Sequence, residues 1–100
     1  MNETVLKPNV YHYTDVRHYL KDYYLYLKSK NSRFSYNAWS KALGVKDSTT
    51  ILKVLRGQRN IGPELSEKFL KYFAFPAKQA EYFNDLVTLT KIGKNLRLVS

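Results

Sequence analysis

The sequence contains no cysteine, which excludes a disulfide scaffold, a zinc site built on thiolates and any thiol chemistry. Its two histidines, His12 and His18, are too few and too awkwardly spaced for a metal site on one helical face. Acidic residues are scarce, 8 Asp+Glu against 17 Lys+Arg. No nucleophile–base pair, glycine-rich phosphate loop or carboxylate dyad occurs, so neither an enzyme nor a cofactor is expected. Glu64 and Glu67 sit in a first helical turn, where compensation of the helix dipole accounts for them. No apolar run approaches the ~18 residues that span a bilayer, and Met1-Asn2-Glu3-Thr4-Val5 does not open a signal segment. The 4 glycines and 3 prolines form no low-complexity segment, and there is no internal repeat.

What remains is one domain's worth of chain, 100 residues, 44% hydrophobic and 15% aromatic. That is enough apolar material for a packed core and too much for a disordered basic tail. The net charge of +9 points to a polyanionic partner, nucleic acid first. The charge is uneven. Residues 1–34 carry +3, residues 35–62 carry +4 with Asp47 the lone acid, residues 63–90 carry −1, and the last ten carry +3. Such asymmetry marks a face.

Residues 1–13, with Pro8 and the alternation Val10-Tyr11-His12-Tyr13, read as an extended arm. Thr14 reads as an N-cap with Asp15 in the first turn. Val16, Leu20, Tyr23 and Leu27 then give the inner face of a helix of about four turns. The tyrosines at 19, 23, 24 and 26 read as core with a wet rim rather than as a base-stacking platform. Ser35 is the next N-cap. Tyr36 to Leu43 make a short helix stopped by Gly44, a natural left-handed terminator. A third helix spans about 48–56 with Ile51, Val54 and Leu55 inward, and Gly57 ends it. Gly62-Pro63 opens a fourth, with Leu65, Phe69, Leu70 and Phe73 inward, up to Phe75-Pro76. The fifth starts near Ala77, buries Ala80, Phe83, Leu86, Val87 and Thr90, and fades at Gly93. Asn95-Leu96-Arg97-Leu98-Val99 alternates, as a short strand or tail that would pair with Thr4–Leu6 as a ribbon, within one chain or across a dimer.

Residues 35–60 carry the chemistry. Two short helices joined by a glycine turn, the second polar and basic outward, form a helix-turn-helix pattern. Ser40 is small enough for a close helix crossing, and Gly44 permits the sharp turn. Trp39, Leu43, Val45, Ile51 and Leu55 anchor the pair to the core. That leaves Lys46, Ser48, Thr49, Thr50, Lys53 and Arg56 at the front, donor-rich side chains suited to base edges and phosphates in a major groove.

On Ala42-Leu43-Gly44-Val45, Arg56-Gly57-Gln58-Arg59-Asn60, Leu65 and Phe69, the sequence resembles the lambda-repressor-like (Cro-type) DNA-binding domains. The resemblance implies that the helix after the glycine turn is the recognition helix and that the following loop touches the phosphate backbone. It implies base contacts for Thr49, Thr50 and Lys53 and phosphate contacts for Asn37, Arg59 and Asn60; Ser48 joins the base-contacting candidates, and Lys41, Lys46 and Arg56 the phosphate-contacting ones, on their residue types and places alone. The Gly44-to-Gly57 spacing is one residue longer than is usual there. The insertion falls in residues 46–48 and leaves the base-facing register open by one position. Over about residues 10–90 the chain also resembles the N-terminal region of a bacterial paralogous family named for Fibrobacter and Bdellovibrio, of unassigned function. The carrying residues are Val10-Tyr11, Tyr13-Thr14-Asp15, Arg17, Leu20-Lys21-Asp22-Tyr23-Tyr24, Phe34-Ser35-Tyr36, Gly57, Arg59-Asn60 and Ala80-Glu81-Tyr82-Phe83. Members are usually longer, so this chain is expected to be a short paralogue or an excised domain.

The expected architecture is all-α. It is a compact five-helix, lambda-repressor-like helix-turn-helix domain over residues 14–93, with an extended arm over 1–13 and a tail or strand over 94–100. The expected function is transcriptional regulation through double-stranded DNA, as a homodimer in the cytoplasm or on the nucleoid, with no membrane association. The alternative is a module that keeps the fold and binds a protein partner, using the tyrosine-rich first helix, the Tyr11/Tyr13 arm and the Leu96–Val99 tail.

Overall fold

A computed structural model describes residues 5–99, and the side chains of residues 5–90. Five helices form: α1 Val16–Lys30, α2 Tyr36–Leu43, α3 Ser48–Leu55, α4 Pro63–Phe73 and α5 Ala77–Val99. No strand occurs among the described residues.

Each start has a local cause. Ser35 Oγ accepts from Ala38 N at 3.1 Å, and Asp47 Oδ1 from Thr49 N at 3.0 Å, so α2 and α3 begin on side-chain caps. At α1 the cap is Asp15, not Thr14 as the sequence suggested. The Asp15 carboxylate takes the Arg17 N–H at 2.8 Å from an extended backbone, while Thr14 is exposed. Gly62 precedes α4 without a side-chain bond, and Pro63 supplies the preset first turn. Gly44 ends α2 at φ 80°. Its N–H donates to Lys41 O at 3.1 Å and that of Val45 to Ser40 O at 2.8 Å, closing a left-handed termination.

Two expectations about the ends change. Residues 10–13 are no loose arm. Val10–His12 coil into a 3-10 turn capped by Asn9, Val10 is buried, and the Tyr82 hydroxyl donates to Tyr13 O at 2.6 Å. Burial of Val10 outweighs the extended preference of the alternating sequence. At the other end α5 does not fade at Gly93 but stays helical through Val99, where the alternation suggested a strand or tail. A strand there needs a partner to satisfy its backbone, whereas a helix satisfies its own. The Thr4 end of the suggested ribbon lies outside the described residues.

The core is aromatic. Trp39 of α2 is fully buried, with Tyr23 and Tyr24 of α1 and Phe69 and Tyr72 of α4 at ring-centroid distances of 5.8–6.5 Å. Tyr19, Tyr23 and Tyr24 are buried and Tyr26 half-buried, so the tyrosine row of α1 is core with a partly wet edge. Helix α3 packs on α2 and α1. Helix α4 supports α2 from behind, and α5 covers α1, α4 and the 3-10 turn.

Candidate nucleic-acid interface

Helix α3 is only eight residues long, too short to persist alone. Its inner residues Ile51, Val54 and Leu55 are 1%, 1% and 4% exposed, which pins its orientation to α1 and α2. At about 100° per residue, Thr49, Lys53 and Arg56 then fall within roughly 60° of each other on the outward side, and all three are exposed. Thr50 lies about 100° round to one side and Ser48 about 100° to the other, and both are half-buried. The four residues expected to meet bases therefore do not form one row. Thr49 and Lys53 are outward, with Arg56 completing their stripe.

The residues expected at phosphates are all exposed: Asn37 and Lys41 on α2, Lys46 in the turn, Arg56 at the end of α3, and Arg59 and Asn60 in the loop after it. Thr50, Lys46 and Arg59 come together with Lys68 of α4 around an open cleft of about 390 Å³, which Asp47 and Glu64 also line. Thr50 thus belongs to this cleft between the turn and α4.

The lone acid of residues 35–62 is spent locally. The backbone N–H of Thr49 and then its hydroxyl hold the Asp47 carboxyl below its ordinary pKa, with Lys53 adding a smaller pull. Among the described residues Lys41, Lys46, Lys53, Arg56 and Arg59 form no ion pair, so their charge is available to an outside anion.

A feature absent from the sequence reading appears beside the end of α3. Arg17 and Lys21 of α1 line a second open cleft of about 270 Å³ together with Arg56, Gly57, Asp15 and His18. Gly57 has φ 76°, and an Arg17 guanidinium nitrogen occupies the place that a Cβ on Gly57 would take. The one signal in the sequence was the i, i+4 spacing of Arg17 and Lys21 on the polar side of α1. Nothing in it told that this side meets α3.

No family model, curated protein or solved structure matches this chain. Its chemistry is therefore read from its own residues. Among those described, no group of three or more His, Asp or Glu is placed to hold a metal ion. Among the described residues no helix is long and apolar enough to cross a membrane.

Proposed function

We propose that this chain is a transcriptional regulator that binds double-stranded DNA through α2 and α3, a lambda-repressor-like helix-turn-helix. In this reading α3 enters the major groove. The observation that carries it is the exposed stripe of Thr49, Lys53 and Arg56 on a helix whose opposite face is locked in the core. A helix held by one face presents the other to base edges in a fixed orientation, and donors there suit the major groove. Lys46, Arg59, Asn60, Asn37 and Lys41 would flank it at phosphates.

The protein-module alternative draws less support. The Tyr13 hydroxyl donates to Asp22 at 2.6 Å, so Tyr13 is engaged within the fold, while Tyr11 packs edge-on to Tyr82 at 5.2 Å and stays exposed.

A selection from random duplexes tests the proposal. It should return an enriched motif whose affinity falls steeply with salt, because each neutralised phosphate releases counterions. Arg59→Ala should weaken binding to all duplexes alike, whereas Lys53→Ala or Thr49→Ala should change which sequence is preferred. Two half-sites centred about 10 base pairs apart would report a dimer, and one half-site a monomer. No enriched motif together with salt-independent binding would sink the DNA reading.

A further inference from the structure

We infer that the α1–α3 cleft is a seat for a DNA phosphate, so that Arg17 and Lys21 of the first helix belong to the interface. The inference rests on the DNA reading above and extends it to an element outside the helix-turn-helix. Three cations, Arg17, Lys21 and Arg56, surround one open cleft of about 270 Å³. Among the described residues the only carboxylate lining it, Asp15, already accepts the Arg17 N–H at 2.8 Å and lies 3.6 Å from Arg17 Nε. It cancels at most one of the three charges. His18, at the edge, is turned toward Asp22, with Nε2 3.5 Å from that carboxylate.

The position explains why a phosphodiester fits. Arg56 belongs both to this cleft and to the outward stripe of α3, so an anion seated here is in register with a groove occupied by that helix. The cleft also lies at the C-terminal end of α3, where the helix dipole repels an anion. Arg17 and Lys21 add positive charge from α1 beside Arg56 against that repulsion. Gly57, which also lines the cleft, leaves room for Arg17. A side chain there would meet the guanidinium of Arg17 and force it to shift. The turn-side cleft with Lys46, Arg59 and Lys68 lies at the opposite end of α3. The recognition helix would then be held at both ends by backbone contacts, with base readout between them.

The test measures duplex affinity against salt for the intact chain and for Lys21→Ala, Arg17→Ala and Lys78→Ala. Lys21 is exposed and Lys78 starts α5. Lys78→Ala removes the same charge away from the cleft. Loss of one phosphate contact should flatten the slope of log K against log salt by about 0.9. That is a weakening of about eightfold at 0.1 M salt, equal for selected and unrelated duplexes. Lys21→Ala and Arg17→Ala should each show this, and Lys78→Ala should not. Thermal melting of each variant separates lost contact from lost fold, and Lys21→Ala carries the test if Arg17→Ala melts early. Equal slopes for Lys21→Ala and the intact chain, with Arg59→Ala still weakened, would overturn the phosphate seat and leave the DNA reading standing. A wild-type chain with no salt-dependent duplex binding would overturn both.

Discussion

Ser40 shows how a single residue serves the crossing of two helices. It is 2% exposed on α2, and its Oγ has no hydrogen-bond partner among the described residues. Its size matters and its hydroxyl does not. Ser40→Ala should therefore be neutral or stabilising by up to about 1 kcal/mol, because a buried hydroxyl without a partner costs desolvation and returns nothing. Ser40→Leu should destabilise by about 1–3 kcal/mol through overpacking. Urea unfolding followed by circular dichroism checks both, and a large loss in Ser40→Ala would mean that the hydroxyl has a partner in solution. Trp39 works at the same scale in the opposite sense. It is fully buried, and aromatic rings from both α1 and α4 surround it.

At the scale of elements, the short helices depend on how they end. Gly44 and Ala74 both adopt left-handed backbone, at φ 80° and 53°. Only the first carries the residue suited to it. Gly44→Ala should lose about 1–2 kcal/mol from the Cβ clash in that conformation, and Ala74→Gly should recover up to a similar amount. The space around Gly44 is open enough that strain alone acts, since the nearest atom to a Cβ there would be Lys68 Nζ at 3.8 Å. Thermal melts of the two variants should shift in opposite directions, and shifts of the same sign would refute this account of the two caps. Gly44→Ala should also weaken DNA binding by more than its stability loss implies. The turn sets the angle at which α3 leaves α2.

Across the whole molecule, the charge has an address. The neutral-to-acidic segment, residues 63–90, forms α4 and the first part of α5, and the cations of residues 35–62 are exposed on α2, α3 and the segments that follow them. The interior has its own electrostatics. Burial raises the phenol pKa of Tyr19, Tyr23, Tyr24 and Tyr72. Tyr13 is pushed up from 10.0 to about 12, by burial first and then by its bond to Asp22. These groups are held as neutral phenols in the fold and ionise more readily once unfolded. Their contribution is whole below the unfolded value near 10 and is lost as pH rises through the folded values. On the alkaline side stability should thus hold from neutral pH to about pH 9 and fall between 10 and 12. Urea midpoints across that range, with tyrosinate absorbance recorded alongside, check it. An unchanged midpoint from pH 10 to 12 would show that the tyrosines are not held neutral.

Much of this was legible in the residues alone, because the deciding forces are local. Ser35 and Pro63 open helices and Gly44 closes one through bonds within a turn, and the 3–4 spacing of Ile51, Val54 and Leu55 marks an inner face without reference to any partner. The same locality explains the errors. Thr14 and Asp15 are both good caps, and only the actual backbone path chose the carboxylate. Alternation at 10–13 and 95–99 suggested extended chain, yet a 3-10 turn over a buried Val10 and a continued helix were preferred. Which of the outward residues stand together is a question of another kind. Thr49, Lys53 and Arg56 share a stripe, while Thr50 turns to the cleft shared with α4, because the packing of three apolar side chains rotates α3 to one angle. Arg17 and Lys21 lie 39 and 35 residues from Arg56 along the chain. Composition and spacing therefore determined that this protein is a basic, five-helix domain with a short polar helix after a glycine turn. Only the tertiary structure decided that the first helix brings its cations to that helix's end, since long-range packing, and no local preference, sets which charges meet.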